Sequence, residues 1–169
     1  MRVAGVVVAT ALALALQTTL TQFAPRVGAV DLVLVAVVYA ALVSGPTTGL
    51  LSGTLAGLLQ DALSSGVVGI GGLAKTIVGF GAGVAGTQFI LTQSVARFVV
   101  FYVASVLHAV IFIGTYEGLG LRDFGTPLAA VALQALANAA VGVATFKAVE
   151  LLPLVIERRR AQGTRVRRR

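Results

Sequence analysis

The chain has 169 residues, 57% of them hydrophobic and 11% charged, with a mean hydropathy of +0.97. Soluble domains carry about 25% charged residues, so this composition excludes a water-soluble globular domain, and the absence of cysteine excludes a disulfide framework or a thiolate metal site. The net charge of +7 is local: seven of the thirteen basic residues lie between Arg158 and Arg169, which reads as a cytoplasmic anchor beside anionic lipid rather than as a nucleic-acid site, since no aromatic residue is interleaved.

The first apolar run goes from Val3 to Leu16 and extends to Phe23. Arg2 before it suggests a signal peptide, but cleavage after Ala24 would put Gln22 where a small residue is needed and Pro25 just past the cut. A retained helix is predicted, with Ala9, Ala11, Ala13 and Ala15 permitting close approach of another helix. Pro25, Arg26 and Gly28 make a turn. The second run, Leu32 to Val43 after Asp31, rises only about 20 Å. That is short against a hydrocarbon core of roughly 30 Å, so it starts as early as Val27, or it is a tilted or partial span. Gly45 and Pro46 break it.

The third run, Thr47 to Leu63, carries the clearest pattern: Gly45, Gly49, Gly53, Gly57 and Asp61, each four apart and so on one helix face. Such a face lets another backbone settle close, either inside the bundle or on a partner. The fourth run, Gly71 to Leu91, repeats the design with Gly71, Lys75, Gly79 and Gly83. Two helices joined by the short Ser64–Gly66 turn lie antiparallel, so Asp61 and Lys75 are expected at similar depth. A charge at the bilayer centre costs about 2.5–3.5 kcal/mol. Either the two form an intramembrane ion pair, or each snorkels separately to the interface.

A polar turn at Thr92, Gln93, Ser94 and Arg97 precedes the fifth run, Phe98 to Gly114. His108 within it reads as a hydrogen-bonded core or interface residue, because no second histidine exists to share a metal. After a polar loop from Glu117 to Asp123, Pro127 suits the first turn of the sixth run, Leu128 to about Ile156. Gln134 and Asn138 share a face there and suit interhelical hydrogen bonding. Lys147 and Glu150 are spaced to pair with each other, and Pro153 kinks or ends the helix.

The fold expected is an all-α integral membrane protein, a single six-transmembrane-helix domain over residues 1–156 with a basic cytoplasmic tail over 157–169. Six spans place both termini on one side, and Arg158, Arg159 and Arg160 with their neighbours assign that side to the cytoplasm. Five spans would follow if the short second run did not cross. No nucleophile elbow, histidine pair or phosphate loop appears, since the glycines before Lys75 lack P-loop spacing. An enzyme is not expected, nor a cofactor or a metal. A channel or holin-like protein would need polar stripes, and these stripes are glycine.

Asp31-Leu32-Val33-Leu34 opening a span with Tyr39, the stripe through Gly49, Gly53 and Gly57 to Leu59 and Asp61, and then Gly69 and Leu73, together resemble the bacterial rod-shape-determining MreD family. The similarity is strongest from Asp31 to Gly83, and the length, six spans and basic tail agree over the rest. The resemblance implies a non-enzymatic inner-membrane scaffold of the cell-elongation complex, supporting lateral peptidoglycan synthesis and rod shape. Its implied partners are MreC, a single-span protein with a coiled-coil domain, and with it RodA, a penicillin-binding protein and the actin-like MreB. A homo-oligomer is a further option. The family is also similar in architecture to substrate-binding subunits of energy-coupling-factor vitamin transporters, which supplies the alternative function. Against that alternative, tryptophan is absent and the outer loops are short.

Overall fold

A computed structural model describes residues 3–23, 30–64, 66–89, 93–125 and 128–166, with side chains described for 4–19, 30–64, 66–89, 93–125 and 128–151. The turns expected at Pro25 to Gly28 and at Pro127 lie outside these residues. Six helices follow in order: α1 (Val3–Phe23), α2 (Leu32–Ser44), α3 (Pro46–Leu63), α4 (Ile70–Gln88), α5 (Ser94–Gly118) and α6 (Leu128–Val166). Among the described residues, three segments are long and apolar enough to cross a membrane: Ile70–Gln88, Ser94–Gly118 and Leu128–Leu151.

The short second run is the hub of the fold. A helix that is apolar all round must be buried on all sides, and α2 buries Val33, Leu34, Val35, Val37, Val38, Tyr39, Ala40 and Ala41. It touches each of the other five helices. Leu34, Val35, Val38 and Tyr39 pack with Val78 and Ala82 of α4, Phe101 of α5 and Ala139 of α6. Val33 and Val37 face Ala56 of α3, with Leu14 of α1 against them. The helix begins at Leu32, not Val27, and spans about 20 Å. Outward-facing positions of the surrounding helices are large and apolar, among them Leu12, Leu55, Val103, Val110 and Leu133. Water would not solvate such a girdle; lipid does.

Gly45 joins α2 to α3 directly. Its φ of 92° is open to glycine and costly for other residues, and Pro46 follows at the first position of α3. An added Cβ at Gly45 would meet nothing within 4 Å, so the turn is what requires a glycine there, while its backbone lies against Gly83 at the end of the stripe.

α6 does not stop at Pro153 or Ile156. Its backbone continues helical through Arg158, Arg159 and Arg160 to Val166, so the basic segment extends the helix instead of following it. Glu157, the arginines, Ala161 and Gln162 are strong helix formers, which offsets the single hydrogen bond a proline removes.

Candidate functional site

Two constructions position the polar residues. The first is the seam between α3 and α4. A Cβ on Gly49 would overlap the Gly79 backbone, one on Gly53 the Lys75 carbonyl, and one on Gly57 would stand 2.5 Å from Gly72 Cα. Gly83 meets Pro46 in the same way. Each step of four along α3 is matched by a step of three or four back along α4, so the helices run antiparallel in fixed register with backbone against backbone. Thr54 Oγ1 and Thr76 Oγ1 add a hydrogen bond of 2.8 Å across the seam.

That register corrects the ion pair expected between Asp61 and Lys75. Lys75 lies opposite Gly53, eight residues or about 12 Å along α3 from Asp61. Asp61 is opposite the start of α4 instead. Its Oδ2 accepts hydrogen bonds from the backbone N–H groups of Gly69 (2.9 Å) and Gly72 (3.0 Å). Gly69 has no side chain to cap α4, so a carboxylate from the preceding helix satisfies donors that the first turn leaves open. Asp61→Ala is therefore expected to cost about 1–3 kcal/mol, read as a lower thermal midpoint in detergent with faster amide exchange at Gly69 and Gly72.

The second construction is a buried polar junction where α2 begins. Lys75 Nζ is 2.8 Å from Asp31 Oδ2, and the two residues are only 3% and 7% exposed. Lys75 Nζ also lies 3.1 Å from His108 Nε2. An ammonium can only donate, so Nε2 accepts and the imidazole proton sits on Nδ1. Asp31 Oδ1 accepts from the Leu34 N–H and caps α2. Asn138 Oδ1 accepts from the Asp31 N–H (2.9 Å) while its Nδ2 donates to Ser105 Oγ (3.1 Å). Gln17 of α1 accepts from the Leu32 N–H and donates to the Val30 carbonyl. Groups from α1, α4, α5 and α6 thus converge on the first turn of α2. Asn138 is the eleventh residue of α6, so this turn lies about 15 Å along that helix from its start. A helix end so far inside an apolar bundle needs side chains to take the place of water.

An aromatic column stands over the junction. His108 stacks on Phe112 at 5.9 Å, Phe112 meets Tyr116 at 4.8 Å, and Tyr116 meets Phe124 at 5.8 Å. The Tyr116 hydroxyl accepts from the Val67 N–H, tying the α3–α4 loop to α5. At the other end of the bundle, Glu150 pairs with Arg97 of α5 at 2.7 Å, and not with Lys147 as its spacing suggested. Arg97 also lies over the Phe146 ring, 4.4 Å from its centroid, which brings the guanidinium to the Glu150 side of α6.

Of the polar residues marked from the sequence, the junction takes in Lys75, Asn138 and His108. Gln134 is half-buried one turn before Asn138 and forms no side-chain hydrogen bond with the described residues. The side chains of Arg158, Arg159 and Arg160 lie outside the described residues. Gln17, Ser105 and Tyr116 acquire their roles only from the fold. A signal for Asp31 was present, in an acid directly before an apolar run, which is an N-cap pattern.

A family model of the rod shape-determining protein MreD matches residues 2–144, most of the chain and all of the junction. The chain belongs to the MreD family. Its role is accordingly in rod-shape determination, and it is a membrane protein of a shape-determining structural family. Among curated proteins and solved structures, no match was found.

Proposed function

We propose that this MreD-family chain is a non-enzymatic scaffold of the cell-elongation complex, crossing the inner membrane six times with both termini in the cytoplasm. Arginines from Arg158 onward support that orientation through the positive-inside rule, and anionic lipid at the cytoplasmic face would attract them. The partner is an MreC-like single-span coiled-coil protein, with RodA, a penicillin-binding protein and MreB in the same assembly.

The observation that carries this reading is the division of α3 into two faces. Its glycine face is consumed internally by α4. The opposite face, with Leu51, Leu55 and Leu59 outward, forms an apolar groove of about 560 Å³ with α1. Small residues of α1, including Ala11 and Ala15, line it. The groove follows α3 from Thr48 to Leu63, about 22 Å. A groove of that length, with small residues set between branched ones, suits one membrane-crossing helix, with close approach at the small positions.

Ala15→Phe would fill the groove from an exposed position. Pull-down of the tagged variant from detergent is expected to recover the single-span partner roughly tenfold less than the parent, with an unchanged elution profile. Undiminished recovery would remove the groove as the docking surface. Recovery from the parent of a transporter scaffold with ATPases would replace the scaffold reading with that of a transporter subunit.

A further inference from the structure

The polar junction holds its own chain as a binding site would hold a ligand. Around Val30 and Asp31, three of the recognised groups are ones that a small acylated amino acid also possesses; the fourth, the Leu32 N–H that Gln17 Oε1 accepts, is not. The Val30 carbonyl accepts from Gln17 Nε2 at 3.0 Å. The Asp31 N–H donates to Asn138 Oδ1 at 2.9 Å. The Asp31 carboxylate meets Lys75 Nζ at 2.8 Å. These recognising side chains come from three different helices, and two of them are braced by further partners, Lys75 by His108 and Asn138 by Ser105. Capping the buried start of α2 accounts for the Asn138 and Gln17 contacts, but not for an ammonium. A hydrophobic trio would be cheaper in the same place, and ionisable groups inside a membrane bundle mark function by default. Among the described residues, the only carboxylate bonded to Lys75 is that of Asp31, the residue at the end of the α1–α2 connection.

We infer that Gln17, Lys75 and Asn138 form a carboxylate-recognising site that Asp31 fills from within, and that a small free carboxylate beside an amide can take its place. The site is self-occupied: the ligand class is an N-acylated amino acid or a simple carboxylate, and its binding frees the start of α2. Lys75 is the anion-binding group. Gln17 and Asn138 read the amide, and His108 and Ser105 position them. The site shares no lining residue with the α1–α3 groove and does not depend on which partner occupies that groove.

Asp31→Gly empties the carboxylate position without blocking it. Acetate is expected to raise the thermal midpoint of Asp31→Gly by a few degrees through ligand linkage, whereas acetamide at equal concentration does not. Asp31→Gly with Lys75→Met should lose the response. The absence of cysteine permits a second readout in the full chain: Val30→Cys, labelled with a maleimide in membranes. N-acetylaspartate is expected to speed that labelling several-fold, and sodium chloride of equal ionic strength is not. The inference is overturned if neither carboxylate acts, if acetamide acts equally, or if the effect survives Lys75→Met. It is also overturned if acetate rescues Asp31→Gly while N-acetylaspartate leaves Val30→Cys labelling unchanged. Should Asp31→Gly fail to fold, the Val30→Cys measurement decides alone.

Discussion

Gly53→Leu is expected to destroy the α3–α4 seam outright. A core overpacked by side chains alone loses about 1–3 kcal/mol because neighbours can shift rotamers. Here the obstacle is the Lys75 carbonyl and the Thr76 nitrogen, both backbone atoms of a helix held by its own hydrogen bonds. Relief therefore requires the helices to separate along the whole register, from Gly49 against Gly79 to Gly57 against Gly72. The loss should exceed about 3 kcal/mol, enough to bring a marginally stable bundle near its unfolding threshold. Gly53→Ala should show much of the effect, since the first carbon already collides, whereas Gly81→Ala, with nothing within 4 Å of an added Cβ, should be nearly silent. Thermal aggregation followed by gel filtration in detergent measures the series. Equal midpoints for Gly53→Ala and Gly81→Ala would refute the backbone contact. Because the seam is internal, loss of partner recovery in Gly53→Leu should follow loss of folded protein and never precede it.

The second large effect concerns charge. Lys75→Met removes the ammonium and leaves the Asp31 carboxylate buried without a counter-ion. Breaking one side of a buried pair costs about 3–5 kcal/mol. Removing both charges should cost far less: Asp31→Asn with Lys75→Met keeps an oxygen to cap Leu34, so most of the stability is expected back. Exchange of Asp61 and Lys75, by contrast, should be no better than either single change, since Asp61 serves the α4 N-terminus two helical turns away. A double-mutant cycle across Asp31 and Lys75, with Asp61 and Lys75 as the control cycle, separates the two arrangements. Coupling confined to the first pair is the result expected; coupling in the second pair would return Lys75 to Asp61.

Much of this fold was legible because membrane helices advertise themselves in runs of apolar residues. The six elements, the turn at Gly45-Pro46 and the close-packing character of Gly49, Gly53, Gly57, Gly79 and Gly83 all follow from local pattern. The register between α3 and α4 did not, and it decided which charge meets which. The start of α4 was read to within one residue, at Gly71 against Ile70, but not which residue of α3 it meets. In the register of the fold, Asp61 faces the first turn of α4. Asp31 and Lys75 are separated by two helices in the chain, and no periodicity joins them. Gln17 was equally unreadable, because a glutamine after an apolar run looks like the end of a span. Only a helix starting deep inside the bundle explains why its amide is turned inward.

The central position of α2 has a consequence for how the bundle comes apart. A helix that touches all five others cannot loosen privately, so α2 through α6 should exchange their amide hydrogens in one cooperative event. Among the described residues, α1 touches only α2 and α3, and it is tied to the first turn of α2 chiefly through Gln17. It should open at lower free energy, as a unit of its own. The bundle then has a single tightly coupled body and one separable stave, and the groove beside Ala15 lies along the line where the two part.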